Sequence, residues 1–338
     1  MRKHSRYHSI GQFRDVYKQI QRDTAYEGKD DNDNSIYNWQ KLLPTLTFTG
    51  SEKLHGTNAA IGFDSEGTWT QSRERILSLE SDNAGFARYV EDNLELLTHI
   101  RDRIGGSLRW DERSYTAFIV YGEWCGANIQ PQVALSKLPK QFIVFGIKVI
   151  DYEKESWLSD EVVVRLLKEY VPTVFDFNRY TLEIDFNNPD EAINKMVEIT
   201  NEVELRSPIG IAHGVDGIGE GVVWKCGKYI FKVKGKLHSA SHVKVLVAID
   251  IEKVRNVQEC VEKIVTSNRL MQGVDELISS GINLDHKAIG PFIKWVKDDC
   301  IKEELDTITG SDLIIEDVVK SISFKSKDYF IKEVLQKL

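Results

Sequence analysis

One lysine stands between strand-like sequence and a glycine turn, in the segment Glu52-Lys53-Leu54-His55-Gly56-Thr57-Asn58. The residues on either side of this segment have the alternation of half-buried strands. Lys53 is therefore predicted to be held at the end of a strand, where a lysine can act as a nucleophile. At a pKa of about 10.4, fewer than roughly one lysine in a thousand is a free amine at neutral pH, and lowering that pKa by about three units costs roughly 4 kcal/mol. Burial and nearby positive charge can supply this shift.

A carboxylate and two arginines lie at the ends of other predicted strands. Glu123 ends a hydrophobic strand beside two glycines, where the backbone can approach a ligand closely. A buried carboxylate at such a place needs a hydroxyl, a cation or a metal. Arg73 follows another strand and can fork onto ribose or phosphate oxygens, with Arg75 as the rival assignment. A solvent-exposed side chain is the alternative for each of them.

Lysines are concentrated in a later pair of strands, with no acidic residue between positions 225 and 244. Lys232 and Lys234 share one face of a strand at a spacing of two, so their ammonium groups repel unless a polyanion lies over them. A solvated basic face is the alternative. Glu220 and Lys225 fall on opposite faces of a regular strand. Both can point at one ligand only through a twist, a bulge or a site at the strand ends.

The pattern Lys-x-His-Gly-x-Asn at Lys53 resembles motif I of the covalent nucleotidyltransferases. Its histidine is similar to that of the phage-type RNA ligase 2 family, which includes the kinetoplastid RNA-editing ligases. Because Gly-Thr-Asn is also ordinary turn chemistry, a structural turn is the alternative for this segment alone. Further segments resemble the family's motifs in the family's order, and their joint occurrence is more specific than any one. These segments are 71–77 (motif Ia), 118–126 (motif III), 142–147 (motif IIIa), 220–225 (motif IV) and 231–234 (motif V).

The resemblance implies a role for each matched residue. Lys53 would attack the α-phosphorus of ATP, expelling pyrophosphate and leaving AMP on the lysine. Phe145 would stack on the purine, although taken alone it would be a core phenylalanine. His55 and Asn58 match positions that the family uses around the phosphates and the nick. The implied nucleotide-binding set is Glu52, Leu54, Asn58, Arg73, Glu123, Phe145, Lys225, Lys232 and Lys234.

The implied activity is that of an ATP-dependent RNA ligase. AMP would pass from Lys53 to an RNA 5′-phosphate, and an adjoining RNA 3′-hydroxyl would displace it, with nicks in duplex RNA as the expected substrate. A divalent ion, Mg²⁺ or alternatively Mn²⁺, would shield the phosphates, with Glu220 as its carboxylate candidate. Lys232 and Lys234 would stabilise developing charge and help to lower the pKa of Lys53.

The predicted elements give an α+β fold class. We expect an antiparallel β-rich nucleotidyltransferase domain, like an ATP-grasp ligase, with flanking helices, followed by a small all-α C-terminal domain. The predicted boundaries are 1–242, beginning with a basic helix at residues 9–22 capped by Ser9, and 243–338. The residues from 27 to 35 are predicted to be a polar loop. A helix beginning near Phe86 is predicted to stop at Gly105 and Gly106.

Composition agrees with a soluble globular chain. It has 338 residues, a net charge of −8 and 41% hydrophobic residues, which is enough for a real core. No apolar run approaches the ~20 residues of a membrane span. The four cysteines are widely spaced and argue against a zinc site. We therefore expect a monomer with RNA as its partner and no membrane, in the cytoplasm, or in the host cytoplasm if the protein is viral.

Other functions share some of these features. A DNA ligase or an mRNA capping enzyme would use the same lysine chemistry, but no OB-type β-barrel is indicated after Lys234. From a different class, a non-catalytic RNA-binding protein could keep the pocket for ATP sensing. No P-loop or Rossmann glycine pattern is present to hold the nucleotide in another way.

Overall fold

Two antiparallel sheets form the centre of the protein up to residue 235. The computed structural model describes residues 4–108, 116–130, 133–152, 154–177, 179–235, 237–238, 256–310 and 313–337. A short hairpin of β1 (Tyr26–Lys29) and β2 (Ser35–Tyr37) precedes the sheets. In the four-stranded sheet the order is β11-β10-β3-β9, and in the five-stranded sheet it is β5-β4-β6-β7-β8.

The strands follow one another along the chain with both sheets interleaved. Their bounds are β3 (Thr45–Glu52), β4 (Thr57–Asp64), β5 (Gly67–Ser72), β6 (Ala117–Cys125), β7 (Gln141–Ile150), β8 (Glu155–Trp157), β9 (Arg179–Asp185), β10 (Gly221–Cys226) and β11 (Tyr229–Lys234). Strand β3 belongs to the four-stranded sheet and β4 to the five-stranded sheet. The turn that contains Lys53 is therefore the place where the chain crosses from one sheet to the other.

Helices cover the outer faces of both sheets. Their bounds are α1 (Phe13–Ala25), α2 (Phe86–Asp92), α3 (Leu94–Leu108), α4 (Asp160–Leu167), α5 (Asp190–Leu205) and α6 (Pro208–Ala212). Helices α1 and α5 bury apolar side chains against the four-stranded sheet, around Phe48 and Phe231. Helices α2, α3 and α4 do the same for the five-stranded sheet, around Phe63 and Phe118. Burial on this scale supplies most of the driving force for folding.

The last described part of the chain is helical and has its own core. We call it the helical unit, and it comprises α7 (Val257–Ile264), α8 (Ser267–Ser279), α9 (Ile289–Gly310), α10 (Ile315–Tyr329) and the π-helical and 3₁₀ turns that follow. Its apolar side chains, among them Phe292 and Phe330, form a cluster separate from those of the sheets. The predicted fold class, an α+β antiparallel protein ending in helices, is confirmed.

Several predicted boundaries were wrong. Helix α1 begins at Phe13, with Gln12 as its N-cap, so Ser9 does not cap it and residues 4–12 lie outside helices and strands, apart from a β-bridge of Gly11 with Phe231. The predicted loop from 27 to 35 contains parts of the β1–β2 hairpin. Helix α3 continues through both of its glycines to Leu108, because packing of the helix outweighs the roughly 1 kcal/mol that each glycine costs. The predicted domain boundary at 242/243 lies outside the described residues. No described helix is both long and apolar enough to cross a bilayer.

Candidate functional site

One cleft brings together all the predicted site residues except Arg75, the alternative to Arg73. Its volume is about 300 Å³, and it lies where the two sheets meet. The predicted residues that line it are Glu52, Lys53, Leu54, His55, Asn58, Arg73, Glu123, Phe145, Glu220, Lys225, Lys232 and Lys234. These residues come from six strands and the turns next to strands, so only the fold could bring them together.

Lys53 is fixed at both its main chain and its side chain. Its backbone N–H donates to the carbonyl of Gly221 over 2.8 Å, which ties the turn to β10. Its Nζ donates to Oε2 of Glu220 over 2.6 Å, and its side chain is 22% exposed. The prediction of a lysine held at a strand end is confirmed by these contacts. The amine thus faces the cleft in one orientation.

Glu220 is a fully buried carboxylate surrounded by cations. Its Oε2 contacts Lys53 and also Nδ1 of His55 at 2.9 Å, and its Oε1 lies 3.2 Å from Nζ of Lys234. Burial by itself would raise the pKa of Glu220, but Lys53, Lys234 and His55 outweigh it and hold the pKa well below its usual range. The carboxylate therefore stays charged and acts as an anchor for the three groups around it. Burial also lowers the pKa of His55, against the opposing effect of Glu220.

The backbone of Gly221 explains how Glu220 and Lys225 face the same cleft. Its φ of +149° is a conformation that side chains rarely allow, and a Cβ there would lie 2.2 Å from the carbonyl oxygen of Val233. Glu220 precedes Gly221 and does not follow the alternation of side chains along β10. Val223 and Lys225 come after Gly221 and share one face of the strand. The two residues that regular alternation would separate therefore meet in the cleft.

Lys232 and Lys234 lie side by side on β11 and both face the cleft. Burial, together with the charge of Lys234, lowers the pKa of Lys232 to about 8. Burial would also lower the pKa of Lys234, but Glu220 and Glu303 outweigh it and raise that pKa. The two lysines thus offer buried positive charge whose repulsion is relieved by carboxylates in this structure.

Glu123 occupies the floor of the cleft at the end of β6. It accepts a hydrogen bond from the backbone N–H of Gly56 over 3.1 Å, and it pairs in register with Asn58 across the sheet. Burial raises its pKa to about 7, although Lys53 acts in the opposite direction. A Cβ on Gly56 would come within 2.5 Å of the Trp124 carbonyl oxygen, so glycine is required for this approach. A carboxyl group with this pKa can accept or donate a hydrogen bond near neutral pH.

A β-bulge turns Phe145 towards the cleft. Tyr121 of β6 pairs with Gly146, but the next residue of β6 pairs with Val144, so Phe145 is the extra residue of β7. Its ring lies 4.8 Å from that of Tyr7 in an edge-to-face arrangement. Tyr7 and His8 line the same part of the cleft. An aromatic wall of this kind can receive a planar base.

Lys225 is engaged at the same end of the cleft. It forms an ion pair with Asp160 at the start of α4, and its ammonium lies 5.9 Å from the ring centre of Phe175. Asp160 and Phe175 also line the cleft. A ligand that takes up Lys225 would therefore have to displace or share the carboxylate of Asp160.

The structure shows which of the two alternative arginines, Arg73 or Arg75, reaches the cleft. Arg73 lines the cleft, is 39% exposed and donates to Oγ of Ser9 over 3.1 Å. Arg75 donates instead to the carbonyls of Ser279, Ser81 and Asp82. Arg75 thus joins a loop to the helical unit, which leaves Arg73 as the arginine available to a ligand.

Glu52 and Leu54 flank the lysine with buried side chains. Glu52 is 3% exposed, and it accepts hydrogen bonds from Oγ of Ser207 over 2.6 Å and from the N–H of Ile209 over 2.9 Å. Leu54 packs into the apolar core beneath the five-stranded sheet. Both residues border the cleft, but their contacts within the protein fix the position of the Lys53 turn.

The cleft residues that were not predicted from the sequence include two groups from distant parts of the chain. The first is the segment before α1, because the amphipathic pattern was extended back to Ser9. Its cleft-lining residues are Tyr7, His8, Ser9 and Ile10. The second comes from the helical unit, for which no sequence signal was available. Its cleft-lining residues are Gln272, Asp275, Glu276, Ser279, Trp295, Asp299, Lys302 and Glu303.

The carboxylates of the cleft bear on whether it can hold a divalent ion. Within the described residues no three His, Cys, Asp or Glu side chains converge as a metal cage. Glu220 nevertheless offers a charged carboxylate whose Oε1 lacks an aligned hydrogen bond. Magnesium is commonly bound by one or two carboxylates together with substrate phosphates. The residues therefore fit an ion that arrives with a nucleotide, and Glu220 is the carboxylate that could serve as its protein ligand.

A comparison with models of protein families shows the family to which the chain belongs. The model of the family described as RNA ligase matches residues 46–236, which include every motif discussed above. The chain belongs to the RNA ligase family. The matched region begins in β3 and ends just after β11, so it contains both sheets and the cleft lysines.

Solved structures give a more distant likeness for this RNA ligase family member. An RNA ligase from Naegleria gruberi in an apo form is 17% identical, with a TM-score of 0.43, and the match covers 68% of this chain and 56% of that one. The same enzyme with ATP and Mn has the same four values. With AMP and Mn it is 18% identical, with a TM-score of 0.42 and the same coverage. No curated protein matches the chain. The family assignment therefore depends on the family match alone.

Proposed function

We propose that this protein is an ATP-dependent RNA ligase of the RNA ligase 2 type, related to the RNA-editing ligases. The observation that carries the proposal is the position of Lys53. Its Nζ lies in the cleft on the buried carboxylate of Glu220, beside Lys232 and Lys234. Glu303 and Glu220 compensate the charges of Lys232 and Lys234 here, and the phosphates of a nucleoside triphosphate carry the charge to take over that role.

The first step would form the bond between Lys53 Nζ and the α-phosphorus of ATP, break the bond from that phosphorus to the pyrophosphate oxygen, and release the proton of the amine to the pyrophosphate or to water. Glu220 orients the amine over 2.6 Å. Because its pKa is held well below the usual range, Glu220 is a weak proton acceptor, and we assign it a positioning role. Lys232 and Lys234 would stabilise charge on the expelled pyrophosphate.

The other cleft residues suggest where the rest of the nucleotide binds. Phe145 and Tyr7 offer rings for the adenine, Glu123 a carboxyl group for the ribose, and Arg73 a guanidinium for ribose or phosphate oxygens. Mg²⁺ or Mn²⁺ bound at Glu220 would supply charge neutralisation for the phosphates. Lys225 would serve the same nucleotide after parting from Asp160.

The later steps would use RNA. AMP would pass from Lys53 to the oxygen of an RNA 5′-phosphate, and a neighbouring RNA 3′-hydroxyl would then attack that phosphorus and release AMP. His55 and Asn58 lie beside Lys53 in the cleft and are the candidates for contacts with the ends at a nick. We further propose a division into an adenylyltransferase domain at 1–242 and a helical domain at 243–338, acting as a cytoplasmic monomer.

Labelling with α-³²P-ATP and a divalent ion tests the lysine chemistry. We expect wild-type protein to retain the label covalently and Lys53→Ala to retain none, a loss of at least about a thousandfold, because no other group replaces the nucleophile. Lys195→Ala is the matched control, since it removes an exposed lysine that pairs with Glu198. An unlabelled wild type would favour the non-catalytic ATP-binding alternative. Label that survives Lys53→Ala would assign the chemistry to another residue.

Acceptor choice tests the remainder of the proposal. The rate of sealing would be compared at equal concentrations of ends for three substrates, each with a 3′-hydroxyl and a 5′-phosphate: nicked duplex RNA, single-stranded RNA and nicked duplex DNA. We expect the nicked RNA duplex to be sealed fastest. Preferred sealing of DNA would favour the DNA ligase alternative, and transfer of a nucleotide to a 5′-diphosphate end would favour a capping enzyme. The described residues after 256 form helices, whereas an OB domain is a five-stranded barrel, which disfavours both alternatives.

A further inference from the structure

The helical unit presents acidic side chains to the cleft. Asp275 and Glu276 come from α8, and Asp299 and Glu303 come from α9. The opposite side of the cleft carries Lys53, Arg73, Lys232 and Lys234, the groups that would bind phosphates. The charges of the two sides are complementary. Lys302 of α9 also lines the cleft, so four acidic side chains and one lysine give this wall the sign of charge that a nucleotide or an RNA strand would bring.

Glu303 makes the most direct of these contacts. Its Oε1 lies 3.1 Å from Nζ of Lys232, and its Oε2 accepts a hydrogen bond from Nε2 of Gln12 over 2.9 Å. The backbone carbonyl of Glu303 accepts a second, longer bond from the same amide group. The residue is 8% exposed, so its charge is largely removed from water. The carboxylate thus occupies the side of Lys232 that faces the cleft.

A second contact fastens the other edge of the helical unit. Ser279, the last residue of α8, shares a hydrogen bond of 3.2 Å with the hydroxyl of Thr57, four residues after Lys53. Its carbonyl accepts hydrogen bonds from Oγ of Ser72 and Nε of Arg75. The helical unit is therefore held on both sides of the cleft, at the turn of Lys53 and at the lysines of β11.

We propose that the helical unit is a lid in which the carboxylate of Glu303 takes the place of a nucleotide phosphate on Lys232. ATP and the closed lid then compete for the same ammonium group, so that nucleotide binding requires the α9 edge to move away. The proposal concerns the regulation of the same cleft and rests on the proposed function.

The chemistry of the contact supports competition. A carboxylate and a phosphate oxygen both bind an ammonium group through short, charge-assisted hydrogen bonds. Two anions placed within a few ångströms of each other in a buried site repel, so the triphosphate cannot simply add to the closed arrangement. The positive charges of Lys232 and Lys234 outweigh the burial of Glu303 and hold its pKa at about 2. The carboxylate consequently remains an anion throughout the physiological range, and the lid responds to anionic ligands.

Binding of a non-reactive nucleotide tests the lid. The dissociation constant of α,β-methylene-ATP would be measured by calorimetry for the full chain and for Glu303→Gln, which keeps the shape of the side chain and removes its charge. We expect binding to tighten by roughly tenfold in the variant, since a competing buried charge is lost. Adenosine, which has no phosphates, should bind both proteins equally. No change in the affinity for the analogue, or an equal gain for adenosine, would overturn the proposal.

Two further variants control for general effects of charge and folding. Asp298→Asn removes the same charge from the same helix, but Asp298 is 58% exposed and pairs with Lys297 outside the cleft, so it should leave the affinity unchanged. Gln12→Ala removes the neutral contact to Glu303 and should tighten analogue binding to a smaller extent. An equal gain in Asp298→Asn would mean a general charge effect and would also overturn the lid.

Small-angle scattering separates the lid from the proposed function. We expect the radius of gyration of Glu303→Gln without nucleotide to exceed that of the wild type, because the α9 edge is released. If the wild type is not labelled by ATP and binds no analogue, the proposed function fails, and an unchanged radius in the variant would then overturn the lid as well. If the wild type is labelled but the variant gains no affinity, only the lid is wrong.

Discussion

At the scale of single residues, Glu220 organises the site. It is a fully buried carboxylate that contacts Lys53, His55 and Lys234, residues supplied by the turn after β3 and by β11. Removing one partner of such a buried pair leaves an uncompensated charge, which is strongly unfavourable. The place of these residues in the candidate site could be predicted from the sequence, because each falls in a short motif. Which of these residues contact one another could not be predicted, because Lys53 and Glu220 are separated by most of the sheet-forming chain.

A pH-dependent contribution to stability is expected from Glu52. Burial raises the pKa of Glu52 to about 7 from its ordinary 4.5, against the hydrogen bonds from Ser207 and Ile209. The folded protein therefore binds this proton more tightly than the unfolded chain. The resulting stabilisation is complete below about pH 4.5 and is lost as the pH rises towards 7, which costs about 3 kcal/mol. Glu52→Gln should lose correspondingly less stability between about pH 5 and pH 8 in urea denaturation.

The matched control for this prediction is Glu198→Gln. Glu198 lies on α5 with its side chain 57% exposed, in an ion pair with Lys195. The free energy of unfolding of Glu198→Gln should vary with pH as that of the wild type does, since an exposed ion pair contributes little to stability. If the free energy of unfolding of Glu52→Gln varied with pH in parallel with that of the wild type, the raised pKa of Glu52 would not be the cause of the loss of stability.

At the scale of elements, irregularities in two strands aim the side chains. The φ of Gly221 turns Glu220 out of the alternation of β10, and the bulge in β7 directs Phe145 towards the cleft. Alternation along a strand follows from the period of two and was predicted for Lys232 and Lys234, which do share a face. A bulge has no such period. Its position depends on how β6 and β7 pair, and the sequence of either strand alone does not specify it.

Substitution of Gly221 by alanine tests the first irregularity. A Cβ at this position would lie 2.2 Å from the Val233 carbonyl oxygen on the paired strand, in a backbone conformation that strains any side chain. We expect Gly221→Ala to lower the free energy of unfolding by about 3 kcal/mol or more. Labelling of Lys53 by ATP should also fall, because Glu220 loses its position. Urea denaturation and the labelling assay measure the two effects.

Gly227→Ala serves as the comparison for this substitution. Gly227 also has a positive φ, of +54°, but a Cβ there would meet nothing within 4 Å. We expect a cost of only about 1 kcal/mol and normal labelling. Equal losses in the two variants would show that backbone strain alone, and not the close approach to β11, makes Gly221 necessary.

At the scale of the whole molecule, the cleft has a wall that lies outside the family match. The match ends at residue 236, whereas Asp299 and Glu303 belong to α9 of the helical unit. The unit has its own apolar core, which is separate from the clusters beneath the two sheets. The proposed two-domain division agrees with this separation of cores. The contacts of Ser279 and Glu303 with the sheets are polar, as is usual for surfaces that separate during a functional cycle.

Phe292→Ala tests the separation of the cores. Phe292 is fully buried in the helical unit, and its truncation should cost about 3–5 kcal/mol. We expect hydrogen exchange to accelerate in α8, α9 and α10, while protection in β4 and β6 changes little. Phe324→Ala is the control, because Phe324 lies on α10 with 77% of its surface exposed. An equal loss of protection in the sheets would show that the protein unfolds as one unit and would contradict the division.

The sequence by itself determined which residue types stand at the candidate site, and it predicted the class of fold that the structure has. Short motifs fix residue types at a strand end, and the periods of strand and helix fix which neighbours share a face. Those local rules, together with the resemblance to the family's motifs, predicted Lys53, Glu220 and the lysine pair of β11 as site residues, and the family match agrees with the motifs. Only the tertiary structure decided that Arg73 and not Arg75 reaches the cleft, that residues 7–10 line it, and that Glu303 covers Lys232. These decisions depend on packing between segments far apart in the chain, for which sequence spacing carries no information.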